Sequence, residues 1–526
     1  MRYYFIESRQ GHEGNMLKKL IGIVGLVVLA GCIVNPVTGQ RELGWVSTTQ
    51  QVAIGEQQYA PAQQMQGGRY VVDPALTEYV DGVGRRVAAV SGINLPYEFV
   101  VLNNSVPNAW ALPGGKIAVN RGLLTELKNE AELAAVLGHE VVHAAARHGA
   151  KRLERGLLLQ GALAAASLGA ANSGYANAVI GSAQTAATLL TFKYGREAER
   201  ESDYYGTQFM AQAGYDPEAA VTLQETFVRL SEGRQSDWKQ GLFSSHPPSA
   251  ERVANNRAHV ARLRASGYQG GDYGADRYQA ALRNLRRDAD AYEAYEHALD
   301  DFAADALDDA ADNVQRAISA QSAEPAFHAL RGGIRYKQQR FEDAVINYDR
   351  AIARHDQMYS YFLGRAMART KLNTPTTAKL DLRRSIELLP TALAYNELGK
   401  IAEIEGNTEA AVRYYEAASG AKSELGRSAN ASLLRLDVPR QPAKYVRAVV
   451  SRENSGRVVM RVANLTNVNL QNVTVQVELA WGSSSGRFAP TIDRLAAGST
   501  QLVLVTDNVP PLSSASAYTV AAEVAN

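Results

Sequence analysis

The residues best suited to chemistry lie in Leu133-Ala134-Ala135-Val136-Leu137-Gly138-His139-Glu140-Val141-Val142-His143-Ala144-Ala145-Ala146-Arg147-His148. The content of Ala, Leu, Val and Glu, with no proline, predicts a helix. At 3.6 residues per turn, His139 and His143 stand one above the other on one face. Two imidazoles so placed can grip one metal ion, and Glu140, beside the first, can reach a water bound to it. This is the HExxH pattern, two zinc ligands and a general base for peptide hydrolysis. A catalytic zinc needs three protein ligands and an open position. The single cysteine, Cys32, excludes a thiolate cluster and any disulfide within the chain, which leaves His, Glu and Asp. Candidates for the third ligand are His148, His246 and the carboxylates between Phe192 and Tyr205. In that segment Glu199 and Asp203 are four apart and share a helical face. The first can bind the metal while the second accepts a ligand histidine's free N–H. Glu197 and Glu201 lie off that face.

Several elements must position these residues. A helix is expected around Thr49 to Gln64, and apolar spacing (Leu76, Tyr79, Val80, Val83, Val87) predicts another from Pro74 to Ser91. Short strands are expected near Tyr97 to Leu102 and Lys116 to Val119. Between them, Asn103 to Gly115 is confined by proline and glycine to a sheet edge or a loop. An exposed edge beside a zinc helix suits an extended peptide added as a strand; a loop that merely packs is the other reading. The helix bearing His139 is expected to run on toward Arg152. Residues 156 to 190 are rich in Ala, Leu, Gly and Ser and read as buried or membrane-touching helices, with no window of spanning length.

The four elements, His139-Glu140-x-x-His143, Glu199-x-x-x-Asp203, Asn108-Ala109-Trp110-Ala111-Leu112-Pro113-Gly114-Gly115 and Ser245-His246-Pro247 with Arg252, resemble the gluzincin peptidases. Within these they are similar to the group of the CAAX prenyl protease, the HtpX heat-shock peptidase and the periplasmic β-barrel assembly-enhancing protease. The resemblance covers about Gln50 to Val260. It implies one Zn2+ on His139, His143 and Glu199, with Glu140 as base and Asp203 behind a ligand. It also implies substrate contacts from Asn108, Ala109, Trp110, Ala111 and Arg252. His148 then becomes a helix-face residue rather than a ligand. His246 has two candidate roles, stabilising the oxyanion of the transition state or capping the zinc, and the cap is favoured. The integral-membrane relatives have spanning helices that this sequence lacks.

The full length of 526 residues is too much for one core. A net charge of +1, with 46% hydrophobic and 21% charged residues, describes a globular chain without a nucleic-acid surface. From Met16, two lysines, the apolar run Leu20 to Ala30 and Gly31-Cys32 form an export signal. Leu29-Ala30-Gly31-Cys32 resembles the lipobox of bacterial lipoproteins. That implies lipidation of Cys32 and, with Ile33 following, an outer-membrane lipoprotein on the periplasmic side; translation is expected to start at Met16.

Toward the C-terminus, Ala310, Ala344 and Ala378 are spaced by 34 residues and Ala411 follows by 33. Val314, Tyr348, Leu382 and Tyr415 keep step, as do Ala317, Ala351, Ser385 and Ala418. Small residues at fixed points let stacked helix pairs approach closely, and the pattern resembles tetratricopeptide repeats. After Pro439, β-branched runs separated by Asn, Gly, Ser and Pro suggest a sandwich.

The expected fold class is multidomain and mainly α. Residues 1–31 form an N-terminal extension and lipoprotein signal peptide, and 32–268 an α+β zincin-type peptidase domain. Residues 275–438 form an α-solenoid of tetratricopeptide-like repeats, and 440–526 a C-terminal β-sandwich. The expected function is a lipid-anchored zinc metalloendopeptidase acting on misfolded or unassembled envelope proteins, with partner proteins at the repeats and no nucleic acid. The alternative is a non-proteolytic assembly factor with a latent peptidase domain.

Overall fold

The computed structural model describes residues 32–156, 193–232, 241–507 and 509–525. The expected signal segment and most of the stretch at 156–190 lie outside them. The chain divides into two compact units, residues 1–368 and 369–526.

The first unit begins with the hairpin β1 (Cys32–Val34) and β2 (Arg41–Leu43). Helix α1 (Thr48–Met65) follows, started by a reciprocal cap between Ser47 and Gln50 that satisfies two orphan N–H groups. Helix α2 (Pro74–Val90) takes proline at its first position, where no N–H is needed, and buries the predicted Leu76, Val80, Val83 and Val87. Three strands form one sheet: β3 (Glu98–Leu102), β4 (Ala109–Leu112) and β5 (Lys116–Asn120). β5 is central, parallel to β3 and antiparallel to β4.

β4 thus lies at the sheet edge, as expected, but the expected exposure is absent: all four of its residues are buried. Gly114 and Gly115 make the turn into β5 with φ of 82° and 92°. A Cβ on Gly114 would fall 2.6 Å from Val52 Cα, so only glycine fits there.

Helix α3 (Glu130–Ala145) starts on Asn129, whose side chain accepts the Glu132 N–H, and carries Glu130 and Glu132 in its first turn. Both features favour a helix N-terminus. Apolar nearly all round, α3 is a core helix; every residue in it except His139 is buried. It packs against α4 (Arg196–Gln212) and α5 (Glu218–Glu232), and α6 (Ala250–Ala265) closes over α4 and α5.

The expected run toward Arg152 as one helix is corrected. α3 ends at Ala145, Arg147 adopts φ 64°, and a second helical stretch starts at His148.

After two short helices, Ala275–Ala281 and Arg283–Arg287, come four longer ones within this unit: α7 (Ala289–Ala303), α8 (Leu307–Ala320), α9 (Pro325–Lys337) and α10 (Phe341–Arg354). The spaced alanines work as the period requires: Ala310, Ala317, Ala344 and Ala351 are all 0% exposed. One apolar cluster runs from Tyr70 through α3 to Phe327 and Ile334, so the first repeats share a core with the region around α3. Helix α11 (Tyr359–Lys371) carries the chain across the division at 368.

The second unit continues the period with α12 (Pro375–Leu388), α13 (Ala392–Ile404), α14 (Thr408–Ser419) and α15 (Glu424–Asp437). Ala378, Leu382, Ser385, Ala411 and Ala418 are again fully buried. Seven strands complete it: β6 (Val446–Arg452), β7 (Val458–Asn464), β8 (Leu470–Trp481), β9 (Ser484–Phe488), β10 (Thr491–Leu495), β11 (Thr500–Thr506) and β12 (Ser514–Val524). They form two antiparallel sheets, β11-β7-β6 and β10-β8-β12 with β9 on β8. The alternating inward residues of both sheets, among them Val458, Met460, Val473, Val475 and Ile492, share one cluster.

Candidate metal centre and active site

Two glycines set the distance between the helices that carry the candidate ligands. A Cβ on Gly138 of α3 would lie 2.8 Å from Gly206 O, and one on Gly206 of α4 2.8 Å from His139 N. Bare backbone on both sides lets α4 bring Glu199 and Asp203 against His139 and His143. Gly206→Ala therefore forces the helices apart. The expected results are a loss of about 1–3 kcal/mol in chemical denaturation and weaker metal retention on dialysis.

Four donor atoms converge. His139 Nε2 lies 2.9 Å from His143 Nε2 and 3.2 Å from His246 Nδ1. Glu199 reaches the same point, its Oε1 3.0 Å from His246 Nδ1 and 3.4 Å from His143 Nε2. One donor from each of His139, His143, Glu199 and His246 lies within 4.8 Å of the others. Glu140 is 1% exposed, and its Oε2 has no hydrogen-bond partner among the described residues.

The set fits a cation on its own chemistry. His139 Nδ1 faces Asp203 Oδ1 at 3.0 Å, so Nδ1 keeps a proton and Nε2 is left to bind either a second proton or a cation. Burial opposes charge on His139, yet Glu199 and Asp203 outweigh it and raise its pKa to about 10. Positive charge is thus drawn to the point where the donors meet. Burial holds His143 well below the usual imidazole range, in the neutral form a ligand needs. Burial would raise the carboxyl of Glu199, but His246, His139 and Arg252 keep it well below the usual range. Glu140 is raised by burial, which His246 and His139 only partly offset. Imidazole and carboxylate donors together suit zinc.

Asp203 is itself clamped. Arg252 donates from Nε to Oδ2 and from Nη2 to Oδ1, both at 2.7 Å, while its Nη1 pairs with Glu199 Oε2 at 2.9 Å. Arg252, expected at the substrate, has its guanidinium buried and paired with these two carboxylates, and the residue also lines the cleft beside the donors. Trp110, also expected at the substrate, is buried. Its ring packs edge-on to Tyr59, centroids 6.0 Å apart, in a cluster separate from the one holding Ala109, Ala111 and α3. Ala109 and Ala111 lie on the side of the sheet toward α3. Asn108 uses its carbonyl to accept Asn120 N–H.

His246 ends a short helical turn, Leu242–Ser245, whose Leu242 N–H donates to Pro107 O just before β4. Tyr194 had no signal in the sequence. Its N–H donates to Ser245 O, its ring stacks on His143 at 3.7 Å between centroids, and Arg152 lies over it at 4.4 Å. A cleft beside the donors is lined by His139, Glu140 and His246 and by the apolar Leu223, Phe227 and Leu242.

Residues 74–260, which hold all of these groups, match the model described as Peptidase family M48. Metalloprotease YcaL of Escherichia coli (strain K12) is 32% identical over 185 residues, covering 34% of this chain and 70% of that protein. The chain belongs to peptidase family M48. Two further relatives are longer. Mitochondrial metalloendopeptidase OMA1 of Schizosaccharomyces pombe is 35% identical over 224 residues, 41% of this chain and 63% of that one. The beta-barrel assembly-enhancing protease of Escherichia coli (strain K12) is 28% identical over 240 residues, 42% of this chain and 48% of that one. The chain thus spans about half the length of the last relative.

Proposed function

We propose that this chain is a zinc-dependent metalloendopeptidase of the cell envelope. The observation that carries the reading is the meeting of His139, His143 and Glu199 donors beside a buried, half-unpartnered Glu140. A bound zinc would polarise the scissile carbonyl and acidify the attacking water. The chain's own residues do the rest. Glu140 takes the proton of the attacking water and hands it to the leaving amine. Asp203 fixes the tautomer and direction of His139, and Arg252 fixes Asp203. The apolar lining of Leu223, Phe227 and Leu242 accepts an apolar side chain near the scissile bond. Dialysis against zinc followed by metal analysis should find one ion per chain, and a metal-free product would overturn the reading.

His246 supplies a fourth donor in the position a substrate carbonyl needs, which supports a capped resting state. His246→Ala should then raise cleavage of a generic peptide at matched zinc occupancy. An oxyanion donor would instead be worth about 3 kcal/mol, so a fall of about a hundredfold would reject the cap.

Anchoring at Cys32, a periplasmic location and action on unassembled envelope proteins belong to the same reading. No described helix is long and apolar enough to cross a membrane. Cys32→Ala should release the protein from membranes or block its processing; unchanged fractionation with no acyl mass would contradict the anchor. The repeats, as a solenoid, offer a surface for partners, and the two C-terminal sheets, as a sandwich, position it.

A further inference from the structure

The break after α3 gives His148 a place that an unbroken helix could not. Five residues along a continuous helix put two side chains roughly 140° apart, yet His148 Nδ1 lies 2.9 Å from His143 Nδ1. The turn at Arg147 makes this possible. Its left-handed φ of 64° is costly for a residue with a side chain. It is held by Nη2, which donates to Val46 O at 2.9 Å and to Glu154 Oε1 at 3.1 Å. Glu154 in turn accepts the N–H groups of Trp45 and Val46.

The pairing continues outward. His148 Nε2 faces Glu201 Oε1 at 3.5 Å, and that oxygen accepts Asn35 Nδ2 at 2.9 Å. Asn35 is 0% exposed and comes from the hairpin between β1 and β2. Lys151 and Arg152, on the same stretch as His148, face Glu42 and Tyr194 respectively.

We infer that His148, backed by Glu201 and Asn35, is a positioning residue for the metal ligand His143. The inference rests on the zinc reading above. With His143 Nε2 turned to the donor cluster, its proton sits on Nδ1 and is donated to His148 Nδ1. The His148 proton then sits on Nε2 and points at Glu201. One tautomer turns every nitrogen in the row toward a partner, and it is the tautomer that leaves His143 Nε2 free to bind. His143 is thereby oriented from behind as His139 is by Asp203, but through an imidazole. The N-terminal hairpin is tied to a ligand by the same row.

Cobalt(II) is the probe, read both by competition with a chromophoric chelator and by its visible absorption. His148→Ala should weaken cobalt binding about 10–100-fold and alter the d–d bands. His148→Asn, whose Oδ1 can stand where Nδ1 stood, should restore both. Unchanged affinity and bands in His148→Ala would overturn the inference, as would a failure of His148→Asn to restore them. Should His148→Ala not fold by apo-protein melting, Glu201→Gln decides: binding weakened in the same direction upholds the row, and unchanged binding overturns it. A wild-type chain that binds no cobalt overturns the zinc reading, whereas equal binding by wild type and His148→Ala overturns only this inference.

Discussion

Glu140→Gln should leave zinc bound and lower peptide hydrolysis by about 10²–10⁴-fold, the usual contribution of a positioned acid–base group. The substitution keeps the volume of a side chain that is 1% exposed. It leaves the donors on His139, His143 and Glu199 untouched, so metal content serves as the control. What disappears is the group that takes a proton from the attacking water and delivers it to the amine. Cleavage at a tenth of the wild-type rate or more would reject Glu140 as the base.

Glu199→Ala should have the second large effect, on metal rather than on proton transfer. With His246 only a displaceable cap, the site is left with two resident ligands, His139 and His143, and loses its ion on dialysis. The cost extends to the fold, because the carboxylate is also paired with Arg252 and faces His246. Removing one partner of a buried ion pair costs about 3–5 kcal/mol, so the melting temperature should fall as well. Metal analysis after dialysis separates this residue from His148: Glu199→Ala comes out empty, while His148→Ala holds metal more weakly. Full zinc retention in Glu199→Ala would remove it from the ligand set.

The parts legible in the sequence were those written in a period. His139 and His143 four apart, Glu199 and Asp203 four apart, and alanines at 34-residue intervals all follow from helix geometry, and the structure brings each set together as that geometry requires. What the sequence hid depends on contacts distant in the chain or on local exceptions to propensity. Nothing about Ala146-Arg147 announces a helix break, since Arg147 reaches its left-handed φ only through Val46 and Glu154, far away in sequence. For the same reason His148 read as a helix-face residue rather than a ligand, and Glu201 as lying off the face of Glu199 and Asp203. Arg252 was legible as part of the site, but its target was not, because its three carboxylate contacts come from α4. The strand β12 reads Ser-Ala-Ser-Ala-Tyr-Thr-Val-Ala-Ala-Glu-Val, poor in the β-branched residues that mark strands, and its pairing with β8 overrides that propensity.

The most direct test of the central claim is casein cleavage by the purified chain, followed before chelation, after chelation and after zinc is returned. The account predicts cleavage that stops when the metal is removed and resumes on adding zinc, with Glu140→Gln inactive throughout. Cleavage that persists without metal, or that Glu140→Gln shares, would contradict it.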